Sequence, residues 1–135
     1  LDASVVLAWL LPDERSEFAQ RLIARAVHER PRAPSLLLLE VGNALLQAER
    51  RTRLRRASRL ELMDAFTALP IALEPVAAET ILRASELAAS HSLTLYDACY
   101  LELAISRACS LASVDDALCK AARAEAVVVL GDRPA

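Results

Sequence analysis

Glycine is nearly missing from this chain: it occurs twice in 135 residues, alongside six prolines. That scarcity leaves little room for a flexible linker and none for a glycine-rich phosphate loop. No apolar run reaches the length of about 18 residues that a membrane-spanning helix requires, and the amino-terminal stretch has no basic-then-apolar signal pattern. A cytoplasmic setting is therefore expected. Cysteine is sparse as well. Cys99, Cys109 and Cys119 are odd in number and ten residues apart, which fits neither a disulfide framework nor zinc-ligand spacing; they read as buried free thiols. His28 and His91 lie far apart in sequence and read as surface residues. Lysine occurs once, at Lys120, so arginine supplies 15 of the 16 basic residues. Excess positive charge is absent too: the formal net charge of −2 argues against binding nucleic acid by bulk electrostatics and leaves room only for a local basic patch.

What the chain has in plenty is apolar side chains, 55% of the total against a usual value of about 45–50%. A chain of this length reads as one domain, residues 1–135, burying about two-thirds of its unfolded surface. The apolar surplus points to further buried surface, such as a subunit interface. Leu1 to Ala3 reads as the tail of a strand that begins upstream, with Ser4 capping a helix that Pro12 stops. Glu14 to Glu29 carries Phe18, Ala19, Leu22, Ile23, Ala26 and Val27 on one helical stripe. Pro31 to Ser35 is a short strand. Leu36 to Arg51 is a helix with Leu37, Val41, Ala44, Leu45 and Ala48 inward and a separate polar stripe of Glu40, Asn43 and Gln47. Ser58 and Glu61 have capping-box spacing at the start of the next helix, which Pro70 ends. Ile71 to Glu74 is a strand, and Ala77 to Ser90 a helix with Ala78, Ile81, Leu82, Ser85, Ala88 and Ala89 inward. A helix opening at Thr94, a strand over Cys109 to Val114, a helix from Asp115 to Ala124 and a strand over Ala126 to Leu130, followed by Gly131, complete the alternation. Strands alternating with helices predict an α/β fold, a parallel sheet covered on both faces.

Four carboxylates then stand out by position. Asp2, Glu40, Asp97 and Asp115 all fall where a strand or loop hands over to a helix, which in a parallel sheet is the carboxyl end of the strands, where ligands bind. Each has a bland reading. Asp97 is three residues past Thr94 and acids are common in first helical turns; Glu40 and Asn43 can be the wet edge of a helix. Together, four carboxylates at one end of a sheet repel one another, and a divalent cation removes that cost. Mg²⁺ or Mn²⁺ prefers oxygen ligands and can activate water beside a phosphoryl group. Metal-assisted phosphodiester hydrolysis is the reaction class such a set serves. Arg50, Arg51, Arg53, Arg55, Arg56 and Arg59 form the one basic patch. It reads equally as a solvated turn favoured by a helix carboxyl end or as a contact for a phosphate backbone.

The same residues carry a family resemblance over nearly the whole chain. Asp2-Ala3-Ser4, then Glu40 with Asn43, then Tyr96-Asp97-Ala98, then Ser113-Val114-Asp115 occur in the order and spacing of the PIN-domain ribonucleases. Among these the chain resembles the VapC-type toxins of toxin-antitoxin pairs. Serine at 113 stands where the family has threonine, and Asp116 leaves open which carboxylate turns inward. The resemblance implies a three-layer α/β/α domain with a central parallel sheet and a Mg²⁺ or Mn²⁺ site held by Asp2, Glu40, Asp97 and Asp115. It further implies cleavage of RNA, an antitoxin partner and a homodimer. Two rivals compete. A phospho-acceptor receiver domain needs a lysine near the end of its last strand, and Lys120 lies in a helix. A PIN-like binding module without catalysis would usually have lost one or more of the four acids, all of which are present.

Overall fold

The computed structural model describes residues 1–14 and 16–130. Within them the order is α1 (Ala3–Leu10), α2 (Glu17–Glu29), β1 (Arg32–Pro34), α3 (Leu36–Arg50), α4 (Arg56–Thr67), β2 (Ala72–Glu74), α5 (Ala78–His91), α6 (Leu95–Ser106), β3 (Leu111–Ala112), α7 (Asp116–Ala124) and β4 (Val129–Leu130). The class is α/β, with more helix and shorter strands than the apolar runs suggested. β1 pairs in parallel with β2, Ala33 opposite Leu73, and β3 pairs in parallel with β4, Leu111 opposite Val129. Leu1 and Asp2 lie between the two pairs: the Leu1 nitrogen donates to the Arg32 carbonyl and the Asp2 N–H to the Ala112 carbonyl. The strands expected over Cys109 to Val114 and Ala126 to Leu130 contract to two paired residues each, because the flanking residues run on as extended loops or helix caps. Gly131 lies outside the described residues.

The core is aliphatic. Val5, Val6 and Leu10 of α1 meet Leu37, Val41 and Leu45 of α3, Leu101 of α6 and Leu118 of α7, all of them buried. Burying such a side chain stabilises the fold by about 1.5–3 kcal/mol, so the inner faces of these helices hold the shell around the strands. α1 stops at Leu10 because Pro12 forces Leu11 into extended backbone. α6 is buried on most of its circumference, through Ala98, Cys99, Tyr100, Leu101, Glu102 and Ala104, which makes it the central helix. α5 packs along it, with Ala84 against Ala98 and Cys99. No helix among the described residues is long and apolar enough to cross a membrane.

Five expectations change in detail. Asp2, not Ser4, caps α1, its side chain accepting from the Val5 N–H; Ser4 lies inside the first turn and turns its hydroxyl to the carboxylate. The inner stripe of α5 is Ile81, Ala84, Leu87 and Ala88, while Ala78, Leu82, Ser85 and Ala89 are exposed, Leu82 by 69%, because the small Ala84 is what lets α6 approach. The Ser58–Glu61 capping box does not form: α4 opens at Arg56, directly after the tight turn in which the Arg53 and Leu54 N–H groups reach back to the Ala48 carbonyl. Of the cysteines, Cys99 and Cys119 are buried and free, but Cys109 is exposed. His28 is exposed, whereas His91 contacts Glu125 at 2.6 Å.

Candidate active site

Asp2 is the most deeply placed of the four expected carboxylates, 4% exposed. Its first oxygen accepts from the Ser4 hydroxyl at 2.7 Å and from the Val5 N–H at 3.3 Å; its second accepts from the Ser113 hydroxyl at 2.6 Å. Burial drives its pKa up, against the pull of those hydrogen bonds. Ser113, wholly buried, also accepts the Asp115 N–H at 3.0 Å, and Ser4 accepts the Val114 N–H at the same distance. Two hydroxyls thus stitch the start of α1 to the loop between β3 and α7. That loop ends in Asp115, which caps α7 by accepting from the Leu118 N–H at 2.7 Å. The neighbouring acids differ in setting: Asp115 is half-buried beside Ser113, while Asp116 is the first residue of α7 and exposed.

Glu40 sits in the second turn of α3, half-buried. Its carboxylate accepts from the Tyr100 hydroxyl at 2.6 Å. Its pKa is raised, first by burial and then by the charges of Asp97 and Asp2, with the Tyr100 bond pulling the other way. Among the described residues no lysine or arginine acts on Glu40 to offset the two like charges. Asp97, in the first turn of α6, is half-buried; its carboxylate accepts from the Thr94 hydroxyl at 2.8 Å, and its own N–H donates to the same oxygen at 3.1 Å. The capping role expected of this turn belongs to Thr94, which leaves Asp97 one oxygen without a partner among the described residues.

The electrostatics therefore join Asp2, Glu40 and Asp97 directly, and Ser113 joins Asp115 to Asp2. Tyr100 was not singled out from the sequence. It is buried, and its phenol is pushed far above its ordinary range by burial, by the bond to Glu40 and by the charges of Glu40, Asp2 and Asp97. It stays protonated and donates. One helical turn separates it from Asp97, so the i, i+3 relation was readable, but nothing in the spacing told Tyr100 from the exposed Tyr96. Asn43, one turn beyond Glu40, is exposed. Among the described residues no three acids, histidines or cysteines close into a finished cation cage; each carboxylate leans on hydroxyls or N–H groups instead. The donor chemistry nevertheless fits a hard cation, being all oxygen. A cavity of about 440 Å³ lies between α2 and β3 and includes none of the four carboxylates.

The sequence profile of the PIN domain matches residues 1–124. This chain belongs to the PIN domain family. The match takes in every carboxylate just described. Ribonuclease VapC3 of Pyrobaculum aerophilum is 38% identical to this PIN domain over 108 residues, covering 77% of this chain and 79% of that protein. The resemblance to VapC-type PIN ribonucleases, first seen in four short motifs, is thus borne out over the greater part of the chain.

Proposed function

We propose that this PIN domain is a metal-dependent endoribonuclease, the toxin of a toxin-antitoxin pair, with Asp2, Glu40, Asp97 and Asp115 as its catalytic and metal-holding residues. The observation that supports the site assignment is the hydrogen-bond geometry: Ser4 and Ser113 hold both oxygens of Asp2, Ser113 also takes the Asp115 N–H, Tyr100 holds Glu40, and Thr94 holds Asp97; behind the burial of Glu40, the charges of Asp97 and Asp2 also act on it. The name of the Pyrobaculum relative and the family match support RNA as substrate. Bound at these oxygens, Mg²⁺ or Mn²⁺ would supply Lewis acidity at the phosphoryl group and an activated water.

The protein's own residues do the rest. Ser4 and Ser113 fix both oxygens of Asp2, Tyr100 fixes Glu40, and Thr94 holds Asp97 against rotation. Positioning of this kind lets a carboxylate act without first losing rotamer freedom.

The wider proposal has four further parts. Leu1–Asp2 is the middle of one central parallel sheet, β2-β1-(1–2)-β3-β4, in a single three-layer α/β/α domain. An antitoxin protein covers the site. A homodimer forms, for which the exposed Leu39, Leu95 and Tyr96 around a shallow apolar groove provide surface. The setting is cytoplasmic. End-labelled RNA incubated with the protein and Mg²⁺ tests the core of this reading: cleavage that EDTA stops is expected, and RNA bound but left intact would favour a binding module instead.

A further inference from the structure

Among the described residues, seven arginines are paired with carboxylates. Arg21 meets Glu17, Arg25 meets Glu29, Arg32 and Arg107 share Glu74, and Arg83 meets Glu102. Within the basic turn between α3 and α4, Arg53 is held by Asp13 and Glu14, and Arg59 by Glu49. Arg50, Arg51, Arg55 and Arg56 are exposed and have no carboxylate partner among the described residues. The turn that presents them is ordered: the Arg51, Arg53 and Leu54 N–H groups all return to carbonyls of α3, and Thr52 takes a left-handed φ of 58°. The amino end of α4 has neither a capping side chain nor an acid in its first turn, so its partial positive charge adds to theirs. A chain of net charge −2 thus concentrates unneutralised positive charge at one tip.

The position of that tip is informative. Glu40, Gln47 and Arg50 recur at i, i+7 and i+10, and Arg51 follows at i+11, so they share one side of α3. Ten residues at about 1.5 Å each put Arg50 about 15 Å along the helix from Glu40, the length of about four stacked nucleotides at about 3.4 Å apiece. We infer that this side of α3 and the arginine turn form a track for the phosphate backbone of single-stranded RNA, holding the strand a few nucleotides from the bond that is cut. The inference rests on the ribonuclease reading and adds to it a place and a direction for the substrate. An acidic protein segment would also meet arginines, but the approach of an anionic polymer to four like-charged carboxylates needs cations within one Debye length of about 8–10 Å of its path, and this turn supplies them.

The test measures binding of fluorescent single-stranded RNA over a salt series, using Asp97→Asn protein as the uncut background. Three variants are compared in that background: Arg50→Gln with Arg51→Gln, Arg55→Gln with Arg56→Gln, and all four together. Arg21→Gln with Arg25→Gln removes equal charge from α2 as a control. Each turn pair should lower the slope of log K against log salt by about 1.4, and the quadruple by about 3, at about 0.7 per phosphate contact. The α2 control should leave the slope in place. Circular dichroism checks folding, and if the quadruple unfolds, the two pairs decide. A slope unchanged in the turn variants, or lowered equally in the control, overturns the track while metal-dependent cleavage by the wild type leaves the ribonuclease reading standing. A wild type that neither binds nor cuts RNA overturns both.

Discussion

Asp97 combines two duties that usually exclude each other: it sits in a helical first turn, where an acid is favoured, and its charge acts on the carboxylate of Glu40, where an acid is not. Its neighbours decide which matters. Because it adds to the repulsion at Glu40, Asp97→Asn should raise the melting temperature of the metal-free protein while abolishing RNA cleavage; scanning calorimetry and a cleavage assay read the two effects separately. Tyr100→Phe keeps the ring and removes the donor to Glu40. A buried hydrogen bond to a charged group contributes about 1.5–3 kcal/mol, so the variant should be less stable by that order in denaturant titration and should need more Mg²⁺ for the same cleavage rate. If Tyr100→Phe matched the wild type in both, the phenol would be mere packing.

At the scale of elements, the site is made by helix starts. Asp2 caps α1, Thr94 caps α6 and Asp115 caps α7, so the backbone chemistry that begins each helix also aims its carboxylate. This is why the positions were readable in the sequence: the strand-to-helix handover and the Thr94–Asp97 spacing carry the same signal for folding and for function. What could not be read was the stitching between elements 111 residues apart, Ser113 to Asp2, since nothing local records which distant carboxylate a hydroxyl will meet. The Ser58–Glu61 spacing shows the converse. A correct local signal failed because the turn after α3 had already set where α4 begins. Likewise only Ile81 and Ala88 of the expected α5 stripe face inward, since Ala84 gains its place from Ala98 and Cys99 rather than from its own hydropathy. Ser113→Ala should cost about 1–3 kcal/mol by leaving the Asp2 carboxylate short of a donor and the Asp115 N–H short of an acceptor, and should loosen Asp2 and Asp115 together; Ser113→Thr should restore most of both stability and cleavage. Thr94→Ala should cost about 1 kcal/mol as a lost cap, with Thr94→Ser neutral.

For the whole molecule, charge divides into two populations with opposite responses to acid. Asp2 and Glu40 have raised pKa values, so the folded state takes up protons before the unfolded chain does. The metal-free protein should therefore become more stable as pH falls from neutrality through their folded values toward the ordinary carboxylate range near about 4. Glu74 behaves in the other sense. Held between Arg107 and Arg32 with 16% of its side chain exposed, it has a lowered pKa. Its contribution is full above the unfolded value and is lost as pH falls through the folded one. Stability against pH should thus pass through a maximum on the acid side of neutrality, and Glu74→Gln should remove part of the fall below it. The fold class and the four acids were legible because apolar periodicity and helix starts are local facts. The shortness of the strands and the unpaired state of four arginines were not, because both depend on which segments meet. The claim on which all of this rests is that four carboxylates act as one metal-dependent site on RNA. It is tested most directly by measuring cleavage of one RNA by the wild type and by Asp2→Asn, Glu40→Gln, Asp97→Asn and Asp115→Asn, each across a Mg²⁺ titration. Metal-dependent cleavage by the wild type and its loss in all four variants, with folding retained, is the predicted result; wild-type cleavage rates in any one of them would contradict the shared site.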